Sequence, residues 1–286
     1  MTRRADWTGA VGDVWSAEWR RTDRSFADLS RHLDAAILDA VPAAPFTALD
    51  IGCGAGGTSL SLAAARPDAR IVGIDLSAGL VEVARARATR TENSPLAAAP
   101  TAPVGQVAFH VGDASVAAPG LGPFDLLYSR HGVMFFDDPV PAFTALRGSA
   151  RSGAGLVFSC FAHWADNDFA RAIAAAIEAP PPIAGAPGPF AFADTAHVAA
   201  ILAAAGWRDA QPRGVPFAYR AGEGDDAQAD ALSFFRRIGP AAAILRTAAP
   251  ADRAGLLARI AAVIADHHVG NAIDFPALAW IWSARA

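Results

Sequence analysis

The sequence predicts an α/β protein built on a doubly wound, largely parallel sheet, and three observations carry that prediction. From Thr47 to Ala162, short apolar runs alternate with helical segments, which is the pattern of consecutive βαβ units. The first run, TALDIG, exits into the glycine-rich GCGAGG, a tight turn of the kind at which backbone approaches a ligand. Acids stand at or near the ends of the first three runs: Asp50, Asp75 and Asp113.

Each element has its own signal. From Ser25 to Val41 the residues Phe26, Leu29, Leu33, Ile37 and Leu38 recur at helical spacing, and Pro42 and Pro45 end the segment. TALDIG is the first strand, and a helix carrying Leu60 and Leu62 follows and stops before Pro67. RIVGID is the second strand, and the next helix has Ser77 placed as its N-cap. Residues 91–105 lack any period and read as a surface loop. QVAFHVGDA, FDLLYS and GAGLVFSCFA are the third, fourth and fifth strands, with the helix PAFTALRGSA before the fifth. Beyond it come helices near 167–178 and 195–205, a proline and glycine stretch between them, and a long helical segment over 226–268. The late strands GVPFAYRA and FPALAWIWSA bracket that segment.

Composition narrows the chemistry. A chain of 286 residues with 53% hydrophobic content can bury a large core. The net charge of −4 gives no basic footprint, so a nucleic-acid partner is not expected. No window approaches the ~18 consecutive apolar residues of a membrane span, and the opening MTRRADW is not followed by a signal-peptide core. A cytoplasmic protein with no membrane partner is therefore expected. The two cysteines, Cys53 and Cys160, make neither a disulfide framework nor a metal cluster, and no metal is expected. Lysine is absent, which removes a P-loop lysine, a Schiff-base lysine and a Tyr-x-x-x-Lys proton relay.

The glycine turn poses a choice between ligands. Gly52, Gly54 and Gly57 spell G-x-G-x-x-G, and Asp75 lies about 20 residues on, as in a dinucleotide site. Yet Asp50 precedes the first glycine by two residues. Like charges at roughly 4 Å in a partly screened site cost a few kcal/mol, so Asp50 opposes a pyrophosphate and favours an ammonium or sulfonium.

LDIGCGAG followed by GIDLS resembles the first two motifs of class I S-adenosylmethionine-dependent methyltransferases. The resemblance implies a Rossmann-like sheet of seven strands in the order 3-2-1-4-5-7-6, strand 7 antiparallel, with N-terminal helices and a helical insertion before the last strand. It implies S-adenosyl-L-methionine as cofactor. Asp50, Gly52, Cys53 and Gly54 would then border its methionine part, Asp75 its ribose hydroxyls and Leu76 its adenine. Gly112, Asp113 and Ala114 would lie near the adenine amino group, and Ser129 and Arg130 near the transferred methyl. Trp15 and Trp19, one helical turn apart and flanked by Arg20, Arg21 and Arg24, pack as core or act as a lid over the cofactor. Cys53 reads as packing beside the loop.

For the acceptor, the resemblance to small-molecule enzymes related to the ubiquinone and menaquinone C-methyltransferase group is looser. It implies a single domain over 1–286: a helical lid (1–45), a cofactor-binding core (46–162), and acceptor-side helices with the last two strands (163–286). In-line displacement needs chiefly contact and exclusion of water. If a base helps, His131 after strand four and His163 after strand five are the candidates, each equally readable as a hydrogen-bonded pocket histidine. Phe161, Trp164, Phe169, Phe190, Phe192, Phe234 and Phe235 are candidates for an apolar pocket or for ordinary core. Arg236 and Arg237 steer an anionic acceptor or form a solvated face. Asp137, Asp138, Asp166 and Asp168 leave an opening for magnesium. An NAD(P)-dependent oxidoreductase and a non-catalytic S-adenosylmethionine-binding protein stay open as alternatives, and oligomeric state is not readable.

Overall fold

The computed structural model describes residues 4–92, 106–183 and 185–286. Four helices open the chain: α1 (Arg4–Trp7), α2 (Ala10–Ala17), α3 (Trp19–Ser25) and α4 (Ala27–Ala40). Trp15 and Trp19 fall on different helices because Glu18 leaves helical geometry between them. Phe26 makes a second break, and α4 then buries Leu29, Leu33 and Ile37 against the sheet, as their spacing requires.

The alternating core follows: β1 (Thr47–Ile51), α5 (Gly57–Ala65), β2 (Arg70–Asp75), α6 (Ala78–Glu92), β3 (Gln106–Val111), α7 (Ala114–Leu121), β4 (Phe124–Arg130), α8 (Pro139–Gly148) and β5 (Ala150–Phe161). Ser77 caps α6, its Oγ accepting from the Leu80 amide at 3.3 Å. Of the expected loop at 91–105, Thr91 and Glu92 complete α6, and 93–105 lie outside the described residues. The second half comprises α9 (Asp168–Ala176), α10 (Thr195–Ala204), β6 (Arg208–Glu223), α11 (Ala227–Phe235), α12 (Pro240–Thr247), α13 (Pro250–Asp266), β7 (His268–Val269) and β8 (Ala272–Arg285). The long helical segment expected over 226–268 comprises three helices, α11 to α13. Pro240 and Pro250 each occupy a first helical position, where a missing N–H costs nothing and the preceding helix must stop.

The strands form one sheet in the order β3-β2-β1-β4-β5-β8-β6, with β7 paired to β8. β1 to β5 are parallel, and β8 runs antiparallel between β5 and β6. The predicted seven-strand order therefore holds, with the two-residue β7 added. β6 is longer than its expected core GVPFAYRA and tolerates Pro212 and Pro216 because it lies at the sheet edge. Pro276 of β8 sits beyond the stretch 279–285 that pairs with β5, so its missing N–H breaks no bond on that side. Among the described residues no helix is long and apolar enough to cross a membrane.

Carboxylate and guanidinium pairs fasten the N-terminal helices to the later half of the chain. Glu18 is buried between Arg21 and Arg237 (both 2.9 Å), and Asp230 of α11 takes Arg21 (2.8 Å) and Arg24 (2.6 Å). Arg24 also donates to the Ala221 carbonyl of β6 at 2.7 Å.

Candidate active site

The carboxyl ends of the parallel strands open into a cavity of about 390 Å³. Its floor is the turn after β1. The amides of Gly52 and Cys53 both donate to the Ile74 carbonyl (2.9 and 3.1 Å), which folds the turn against β2. Gly52 has φ +65°, and a Cβ there would stand 3.0 Å from Gly132 Cα, so glycine is needed for both backbone and space. Gly54, φ +53°, lines the cavity, and beyond its chain neighbours no atom of the described residues lies within 4 Å of where a Cβ on it would stand. Gly57, third glycine of the dinucleotide-like spacing, is instead the first residue of α5, beside the Asp23 carboxylate.

Three acids line this floor. Asp50 is buried, its Oδ2 accepting from the Ser59 hydroxyl at 2.6 Å. Burial pushes its carboxyl up to about 7, against the opposing pull of that hydroxyl and of Arg130. Near neutral pH Asp50 is therefore only partly ionised until a cation lies beside it. Asp75 is also displaced upward by burial, while amide donors from Ser77 and Gly54, each at 2.8 Å, pull the other way and fix its orientation. Asp113 caps α7, accepting from the Ser115 amide (2.8 Å) and hydroxyl (2.6 Å). Leu76, Gly112 and Ala114 complete this wall. Cys53 lines the cavity with its thiol packed against Val81, Ala84 and Phe109, and burial raises its pKa, so it is an inert filler.

Roof residues come from the N-terminal helices. Trp7, Trp15, Trp19, Thr22, Asp23 and Phe26 all face the cavity. Trp19 lies between two guanidiniums, those of Arg20 (4.5 Å) and Arg87 (4.2 Å). Arg87 also donates to the Ala55 carbonyl of the glycine turn and pairs with Asp23 at 2.8 Å. The other Asp23 oxygen pairs with Arg130 at 2.5 Å. One carboxylate thus ties roof, glycine turn and β4 together.

At the acceptor end, His131 is 7% exposed and lies at φ +59°. Its Nδ1 is 2.8 Å from Ser159 Oγ, its ring touches Phe26 and Phe161 at centroid distances of 4.7 and 4.3 Å, and it lines the cavity. Burial pushes its pKa down to about 3, aided by Arg130, so the imidazole is neutral.

Several expectations are corrected. Ser129 does not line the cavity: its buried hydroxyl donates to the Ile51 carbonyl (2.6 Å) and accepts from the Gly132 amide (3.1 Å), a strut beneath the turn, because neighbouring strand residues face opposite ways. His163 is exposed and lies outside the cavity, its Nδ1 accepting from the Ala165 amide at 3.3 Å. Of the aromatic set only Phe161 lines the site; Phe169 stacks on Tyr219, and Phe234 and Phe235 are core. Arg237 is held by Glu18 rather than aimed at a ligand. Asp137 and Asp138 border the cavity, whereas Asp168 pairs with Arg171. Sequence reasoning missed Trp7, Thr22, Phe26, Met134, Phe135 and Phe136. The aromatic content of residues 7–26 was a signal for Trp7 and Phe26, but which aromatics face inward depends on packing across the whole chain.

A parallel sheet with one antiparallel strand inserted next to its edge, an acid before the glycine turn and acids ending the next two strands define the class I methyltransferase fold. Residues 48–153 match the methyltransferase domain family. Trans-aconitate 2-methyltransferase of Methylobacterium radiotolerans is 32% identical over 132 residues, which cover 46% of this chain and 44% of that protein. The chain thus spans less than half the length of that curated relative. Among solved structures, phosphoethanolamine N-methyltransferase 2 of Haemonchus contortus in complex with S-adenosyl-L-methionine matches with TM-score 0.52 and 15% identity, over 100% of this chain and 60% of that one. Precorrin-6y C5,15-methyltransferase of Geobacter metallireducens matches with TM-score 0.50 and 10% identity, over 89% and 88%.

Proposed function

We propose that this protein transfers a methyl group from S-adenosylmethionine to a small organic acceptor. The observation that carries the reading is the convergence of Asp50, Asp75 and Asp113, from three consecutive strand ends, on one cavity floored by the glycine turn. The donor set suits that cofactor. Gly54 leaves open space at the cavity wall, Asp50 is a buried acid that among the described residues feels Arg130 but forms no ion pair, and Asp75 is held by amides with lone pairs to spare for two hydroxyls. When bound, the cofactor supplies an electrophilic methyl on a sulfonium.

The chain's own residues then bind, orient and exclude water. Asp50 favours positive charge, Asp75 fixes the ribose, and Leu76 with Gly112, Asp113 and Ala114 borders the adenine. Trp7, Trp15 and Trp19 cover the site, in keeping with a lid over residues 1–45, a core over 46–162 and an acceptor side over 163–286. Arg130 acts by holding the roof through Asp23. With its pKa near 3, His131 offers a hydrogen bond rather than strong basicity. The composition and the absence of a spanning helix among the described residues support a cytoplasmic protein acting on a free small molecule. Titration calorimetry with S-adenosylhomocysteine and NAD tests the reading: the first should bind and the second should not, and tight binding of NAD alone would overturn it. Methyl release from labelled cofactor in the presence of a metabolite extract then separates an enzyme from a binding protein.

A further inference from the structure

We propose that the acceptor is an uncharged, mostly apolar molecule bearing a hydroxyl group that pairs with Nε2 of His131. This inference rests on the methyl-transfer reading above.

Six buried side-chain atoms lack a hydrogen-bond partner among the described residues, and three of them, on separate elements, belong to residues lining this one cavity: Trp7 Nε1, Thr22 Oγ1 and His131 Nε2. A buried polar atom left unpaired costs about 1–3 kcal/mol, so the three that share this cavity are places where a ligand can supply the partner. All three are neutral. Trp7 donates, the hydroxyl does either, and Nε2 donates or accepts according to the tautomer set by Ser159. A hydroxyl on the acceptor satisfies either tautomer. The rings of Phe26 and Phe161 pack against the imidazole and also line the cavity, so the surroundings of His131 are apolar.

Charged acceptors fit poorly. Among the described residues lining the cavity, Arg130 is the one guanidinium, and it is committed to Asp23 and to Ser30 Oγ. Desolvating each carboxylate of a polyanion costs several kcal/mol, and no free cation repays it here. The exposed acids Asp137 and Asp138 at the rim add repulsion. A cationic acceptor is opposed by the donor sulfonium, at about 4 kcal/mol for 4 Å and an effective dielectric of 20. The site therefore differs in kind from one shaped for a tricarboxylate.

Calorimetry on the full chain saturated with S-adenosylhomocysteine decides the matter with three probes: 2-naphthol, trans-aconitate and 2-naphthylmethylamine. The expected result is that 2-naphthol binds at least about tenfold more tightly than the other two, the worth of one satisfied hydrogen bond. His131→Asn tolerates the left-handed backbone and replaces Nδ1 but does not reach the Nε2 position. It should weaken 2-naphthol about tenfold and change S-adenosylhomocysteine affinity far less, with some fall in melting temperature from the lost ring packing, while His131→Gln, whose amide reaches further, restores part of the 2-naphthol loss. Equal or tighter binding of trans-aconitate or of the amine, binding of none of the probes, or an Asn variant with native 2-naphthol affinity would each overturn the inference. Failure to bind S-adenosylhomocysteine at all would instead remove the methyl-transfer reading beneath it.

Discussion

Asp50 makes cofactor affinity depend on pH in a way that can be worked out beforehand. Its folded pKa of about 7 reflects burial, which outweighs the opposing pull of the Ser59 hydroxyl and of Arg130. A cationic donor beside it favours the ionised form, so binding expels a proton and the binding-competent species is the carboxylate. The apparent Kd then scales as one plus ten to the power (pKa − pH). Between pH 7.5 and pH 5 that expression rises by roughly two orders of magnitude. The window stops at 7.5 because the ligand's own α-amino group titrates near ~7.7–8.0. His131, pushed to about 3, contributes nothing across it. Calorimetric titration with S-adenosylmethionine at half-unit intervals should show affinity lost as pH falls, with protons released on binding. Asp50→Asn should flatten the curve, any remaining slope belonging to Asp75, whose pKa is also displaced upward. A native curve level from pH 5 to 7.5, or an Asn variant with the full slope, would refute the reasoning. The raised value has a second consequence of opposite sign: without cofactor, fold stability falls as pH rises from the unfolded value of 3.8 through about 7, because the carboxyl ionises in the unfolded chain while the buried one still holds its proton.

Other outcomes follow from the same geometry. Trp19→Ala removes the ring held between Arg20 and Arg87, and should weaken S-adenosylhomocysteine binding about tenfold while costing little stability, read by calorimetry and thermal melting; unchanged affinity would show that the tryptophan is core only. Gly52→Ala places a Cβ 3.0 Å from Gly132 at φ +65°, and should lower stability by about 1 kcal/mol or more, a shift of roughly 2–4 °C in Tm for a chain this size, with loss of cofactor binding. His163→Ala should leave methyl transfer within about twofold of native, since the side chain only caps one turn outside the cavity; a large fall in kcat would return it to the mechanism.

The core of the fold was legible because parallel strands buried on both faces read as unbroken apolar runs, and β1, β2, β4 and β5 are of that kind. The floor of the site was legible for the same reason, since in such a sheet the residues just past the strand ends face the crevice. Ser129 shows where that rule stops: one residue before Arg130, it points beneath the turn, and a pattern of residue types does not say which of two neighbours faces in. The late helices read as one segment because alanine-rich sequence stays helix-compatible through Gly239 and Ala249, and only the prolines that follow mark the starts of α12 and α13. Thr22 was not legible as a cavity residue because nothing in its residue type says which face of α3 looks onto the strand ends, and the facing wall comes from residues far along the chain.

The roof is fastened by arginine and carboxylate pairs at Glu18, Asp23 and Asp230, most of them partly open to water. Electrolyte screens such contacts, with a Debye length near ~8 Å at physiological ionic strength, while it leaves the aromatic underside untouched. Residence time of the bound nucleoside should therefore shorten as potassium chloride is added, making ionic strength an experimental handle on how quickly the enclosure empties.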